Sequence, residues 1–311
     1  MTRRTFAGAL AGAALSRSQQ VRQRTFAFHN GFWLNLHLEL YNLAAGRKQG
    51  RNPNPGGLSP EDAGRWSRCI DFYETNVIMR EFGDLEMIGA NGALCSAGAA
   101  ARLSARPELA RFLPSLEAAA PIYRQHWWTD RQRHNQEWAD RAAALIAVHE
   151  AGLRADLARA YQVKWPHRPM EAEVSYYLTG ASAYTSLRPT RITVSSWSKR
   201  NEGDAALETM FHEAGHGLIW KVQRGIGAAE AKLGRRARHP DLWHALLFYT
   251  TGELVRRRLP SLEPYAVKYG MWDNTWPGLL AAVKQYWQPY LDGQADFREA
   301  ITRVVKCDTT M

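Results

Sequence analysis

The chain has 311 residues, 45% hydrophobic and 23% charged, which describes a globular protein with a sizeable core and excludes a disordered chain or a staple-dependent miniprotein. No apolar run approaches the roughly 20 residues that a bilayer crossing needs, and three widely spaced cysteines, Cys69, Cys95 and Cys307, exclude a disulfide scaffold or a Cys-based metal cluster. The net charge of +10 rests on 32 arginines and only 8 lysines, a skew that reads as coding bias more than as a surface built for nucleic acid.

Residues 1–20 carry Arg3-Arg4, a small-residue apolar stretch from Ala7 to Leu15, and an Ala11-Gly12-Ala13 cleavage-like triplet. This start resembles a twin-arginine export signal, which implies a bacterial periplasmic or secreted location; without it the protein is expected in the cytoplasm. Residues 21–311 are expected to form a single domain, helical over 21–165 and mixed over 166–311.

Thr25 to Gly46 reads as an aromatic helix. Gly46 to Gly57 reads as a loop, and Ser59-Pro60-Glu61-Asp62 supplies a cap, a first-turn proline and acids for the start of a second helix. A further helix follows Pro107, with Pro121 as a kink point, and a long one is predicted over Thr129–Val163. After Pro166 the runs Glu171–Leu178, Ala183–Ser186 and Arg191–Ser196 turn β-branched and aromatic, predicting two or three short antiparallel strands. Helices resume at Gly203, Asp241, Pro277 and Ala295. The expected class is α+β, predominantly helical with one small antiparallel sheet.

The helix after these strands contains His212-Glu213-Ala214-Gly215-His216, an H-E-x-x-H motif. Residues four apart share a helix face, about 5–6 Å apart at Cβ, so both imidazoles can reach one metal ion, with Glu213 beside them as general base. A catalytic zinc usually takes three protein ligands. A third His six residues further on is excluded, because Val222 stands there. The remaining candidates are Glu230, Asp241, His244 and Glu253. Glu253 is preferred, because a lone carboxylate in an apolar helix is costly unless it is paired or metal-bound, and Gly252 beside it allows close approach. Its competing assignment is a salt bridge with Arg256 or Arg257. His244 lies nine residues earlier, about 180° round the helix, so the two cannot face one metal. Tyr249 and Tyr265 are the candidate oxyanion donors, with Tyr269 behind them.

Between Arg191 and Glu253 the sequence resembles the gluzincin branch of the zincin metallopeptidases. The resemblance implies a zincin-like core and a Zn2+-dependent peptidase acting on peptides or proteins, with His212, His216 and Glu253 as ligands. It also implies that the strand holding Thr193, Val194 and Ser195 is the edge strand on which substrate lies. The glutamate segment reads Thr251-Gly252-Glu253-Leu254-Val255, without the acid that usually orients a ligand His in this branch; Glu208 is the substitute, with an exposed helix charge as its plainer role. The alternatives are a non-catalytic binding protein on the same scaffold and a basic nucleic-acid binder, for which no recognition motif is present.

Overall fold

The computed structural model describes residues 24–50, 57–78, 85–95, 103–178, 180–187 and 189–310; the export-signal reading lies outside them. Among the described residues the protein is mostly helical with one four-stranded sheet, an α+β arrangement. The sheet comprises β1 (Phe26–His29), β2 (Met170–Ser175), β3 (Ala183–Leu187) and β4 (Thr190–Ser195), in the order β1-β2-β4-β3. β4 inserts between β2 and β3 and pairs in parallel with β2, as does β1, while β3 alone runs antiparallel as an edge. The sheet is therefore mixed, not antiparallel.

The strand missing from the sequence reading is β1. Phe26 to His29 carries two aromatics two residues apart, and Asn30-Gly31 separates it from α1 (Phe32–Lys48). Its partner is Met170–Glu173, some 140 residues away, so no local hairpin signal exists to reveal it. From Phe32 to Tyr41 every residue of α1 is buried, which makes it a helix enclosed on all sides.

α2 (Pro60–Asn76) starts as its sequence requires: Ser59 Oγ accepts from the Asp62 N–H at 3.1 Å, and Pro60 stands at the first turn. α3 (Leu85–Cys95) and α4 (Leu113–Tyr123) complete a core with α1 and α2, centred on Trp66, Tyr73 and Tyr123. Pro121 sits inside α4 with no N–H to give the helix, and a π turn over Arg124–Trp128 joins α4 to α5 (Thr129–Ala160). A second core lies on the other side of the sheet, between α5, α6 (Ala205–His216), α7 (Trp220–Leu233), α8 (Leu242–Arg256) and the C-terminal helix Phe297–Thr310.

Where the cores meet, buried amides hold the sheet to α1 and α5. Asn35 Oδ1 accepts from the Tyr176 N–H at 2.9 Å and from Asn135 Nδ2 at 2.9 Å, while Ser196 Oγ donates to Asn135 Oδ1 at 2.6 Å. Satisfied in this way, the polar groups fix one packing of the two halves.

Deep in the first core His37 is fully buried, with Nδ1 2.7 Å from the Tyr73 hydroxyl. Burial pushes its pKa down from 6.5 to about 3. Between these values the unfolded chain holds a proton that the folded chain does not, so His37 lowers stability as pH falls from about 6.5 toward 3. Urea melts across that window are expected to show a shallower pH slope for His37→Gln than for the parent; an unchanged slope would contradict the burial assignment.

Candidate metal centre

α6 enters the structure immediately under the sheet, and His212, Glu213 and His216 occupy its second half. His212 and Glu213 are buried, whereas His216 ends the helix and is half-buried. Gly215 lies on the side where α8 approaches: a Cβ there would stand 2.4 Å from Leu247 Cδ1. That close crossing carries His244, in the first turn of α8, into the space beside the α6 pair. Gly215→Ala is expected to cost about 1–3 kcal/mol by overpacking, read as a lower midpoint in chemical denaturation, and to cost less in a chain that already carries Leu247→Ala.

The imidazoles of His212, His216 and His244 form a cluster that could hold a metal ion, with one nitrogen from each lying within 4.8 Å of the others. His212 Nε2 and His244 Nε2 are 3.3 Å apart. Two nitrogens bound at 2.0–2.1 Å to one tetrahedral centre stand about 3.3–3.4 Å apart, so this pair matches a shared ion. Burial lowers the pKa of His216 and of His244 to about 4 and that of His212 well below the usual imidazole range. All three are neutral at neutral pH, the form a metal requires. The donor set therefore fits a metal without proton competition near pH 7.

Glu253 is not among these residues. It projects from the opposite side of α8, accepting from Arg256 Nη2 at 2.8 Å and Arg257 Nε at 3.0 Å, and it lines a different cavity. The lone carboxylate of the apolar helix is thus satisfied by arginines at i+3 and i+4, the pairing that helix geometry favours. Tyr249 lies on the same side and donates to Gln288 Oε1 at 2.7 Å, away from the imidazoles. Gly252 does permit a close approach, but of Pro264 and Glu208: a Cβ there would be 2.9 Å from Pro264 Cβ and 3.0 Å from Glu208 Oε1.

Glu213 faces the histidines, with Oε2 4.0 Å from His216 Nε2. Thr185 of β3 reaches it through a hydroxyl 2.7 Å from Oε2 and 2.9 Å from the Glu213 carbonyl oxygen. Burial raises the Glu213 pKa to about 7, with the Thr185 hydrogen bond pulling the other way. Glu208, expected as an exposed charge, is 3% exposed, and both carboxylate oxygens accept from the Tyr265 N–H, at 3.0 and 2.9 Å. It anchors the Tyr265 segment and does not orient a histidine; His212 Nδ1 is buried with no hydrogen-bond partner among the described residues.

A cavity of about 540 Å³ opens over the three histidines, Glu208 and Glu213, with β3 on one side and Tyr265 on the other. Phe248 packs against His212 at 3.9 Å between ring centres, with the rings tilted by 35°, giving the cavity an apolar floor. Thr193, Val194 and Ser195 do not line it. They are buried in β4, which is paired with a strand on each side, so its backbone has no edge to offer a substrate. The exposed edge beside the histidines belongs to β3.

Among the cavity residues that the sequence reading did not place there are His244, Thr185, Arg200 and Phe248. His244 had the right chemistry and was passed over for Glu253; Thr185 carries no signal beyond its strand. Compared with family models, with curated proteins and with solved structures, the chain matches none of them.

Proposed function

We propose that the protein is a zinc-dependent hydrolase of peptide bonds, with His212, His216 and His244 as the metal ligands and Glu213 as the general base. The observation that carries this reading is the convergence of three neutral imidazoles, two with Nε2 atoms 3.3 Å apart, at the floor of a cavity shared with a buried carboxylate. An all-imidazole donor set suits zinc, and three protein ligands leave a position for chemistry. When bound there, zinc supplies a Lewis acid that polarises a carbonyl and makes water a nucleophile at neutral pH.

The chain's own groups do the rest. Glu213 Oε accepts a proton from the attacking water and returns it to the departing amine. Burial raises its pKa, which makes the carboxylate a stronger base than one in water. Thr185 holds the carboxylate in place from β3. The Tyr265 hydroxyl accepts from Arg200 Nη1 at 2.9 Å, which leaves its own proton to donate to a developing oxyanion. The edge of β3 suits an extended peptide, since its unpaired backbone groups can add a strand. Metal analysis of the purified full chain, together with digestion of a mixed peptide library before and after chelation, tests the reading. The expected result is one zinc per chain and cleavage that chelation abolishes; zinc-loaded protein that cuts no peptide would overturn it.

A further inference from the structure

Arg200 is the one Lys or Arg among the described residues lining the cavity over the histidines. It has no carboxylate partner among the described residues, unlike Arg256, Arg257 and Arg258 at the end of α8 and just past it, which pair with Glu253, Asp292 and Asp156. Two tyrosines hold it instead: Nη1 donates to the Tyr265 hydroxyl at 2.9 Å, and the guanidinium lies 4.5 Å from the Tyr269 ring centre. Its backbone is equally fixed. The turn Lys199–Asn201 is anchored by Asn201, fully buried, whose amide donates to Ser182 O at 2.7 Å and Ser195 O at 2.8 Å. A rigid turn therefore presents a positioned, exposed, unneutralised guanidinium to the cavity. Tyr265 in turn stacks on Phe248 at 5.6 Å, and Phe248 packs against His212 with its ring tilted, so the cation and the imidazoles border one cavity through a continuous row of rings.

Resting on the hydrolase reading, we propose that Arg200 binds a carboxylate of the substrate, selecting peptides with a negative charge close to the bond that is cut. A planar guanidinium meets a carboxylate through two parallel N–H···O bonds, and Tyr269 keeps its face covered while the donating edge stays free. The carboxylate belongs either to a free C-terminus or to an acidic side chain near the scissile bond.

The test is binding to the zinc-loaded full chain carrying Glu213→Gln, so that no ligand is consumed. Calorimetry would compare two pairs of N-acetylated mixed-sequence peptide pools: free acid against C-terminal amide, and amidated pools with a fixed Glu against a fixed Gln. The carboxylate member of one pair is expected to bind about 10- to 100-fold more tightly. A preference in the first pair identifies the C-terminus, and in the second the side chain. Arg200→Gln should abolish the preference and Arg200→Lys keep part of it, with unchanged thermal melts, as the side chain is exposed. Equal affinities within both pairs, no binding of any pool, or a preference that survives Arg200→Gln (as when the metal itself holds the carboxylate) would overturn the inference. Cleavage of neutral and acidic peptides at equal kcat/KM would overturn it while leaving the hydrolase reading intact. Arg200-dependent binding without any cleavage by the parent chain would overturn the hydrolase reading and leave Arg200 only as a carboxylate-binding residue.

Discussion

Replacing His244 with alanine is expected to strip the metal from the protein, whereas replacing Glu253 is expected to leave it bound. His244 Nε2 lies 3.3 Å from His212 Nε2, and Glu253 is engaged by Arg256 and Arg257 on the far side of α8. The loss of affinity in His244→Ala should exceed the roughly 10- to 100-fold that removal of a metal's outer-shell partner costs, because a ligand itself is lost. Glu253→Ala should cost only about 1 kcal/mol of stability, the scale of an ion pair near the surface. Zinc titration against a competing chelator separates the two. Metal lost from Glu253→Ala and retained by His244→Ala would reverse the assignment of the third ligand.

Glu213→Gln is expected to bind zinc as the parent does and to lose about 10²- to 10⁴-fold in kcat, the span that a positioned acid–base group contributes. The substitution is nearly isosteric, and the amide oxygen can still accept from Thr185, which in the parent lies 2.7 Å from Oε2. The loss should therefore fall on kcat and spare both stability and metal content. Thr185→Val, which removes the hydroxyl but keeps the shape, should show a smaller loss of the same kind. Wild-type turnover in Glu213→Gln would remove this residue from the mechanism.

The two halves of the chain were not equally legible. Ser59, Pro60 and the acids after them mark the start of α2 because capping is local chemistry, and α5 shows its periodicity over Thr129–Ala160 without outside help. β1 and the parallel pairing of β2 with β4 are different, because the partner sets those pairings and each strand alone looks the same in either direction. Placing β4 between β2 and β3 took Thr193, Val194 and Ser195 away from the edge and gave that role to β3.

Within the site, spacing along one helix was enough for His212, Glu213 and His216, since residues three and four apart share a helix face whatever surrounds it. The same geometry showed that His244 and Glu253 point to opposite sides of α8. It could not say which side faces α6, because both sides of that helix are lined with apolar residues and burial alone does not distinguish them. The choice was made by packing: Gly215 lets Leu247 and α8 close on α6 with His244 inward, while Arg256 and Arg257 neutralise Glu253 on the other side. What the sequence by itself determined was the composition class, the helical ends and a two-histidine motif with its adjacent carboxylate, all properties of contiguous residues. The third histidine, the edge strand and the position of Arg200 were decided only by tertiary structure, since each depends on which faces of separate elements are brought together.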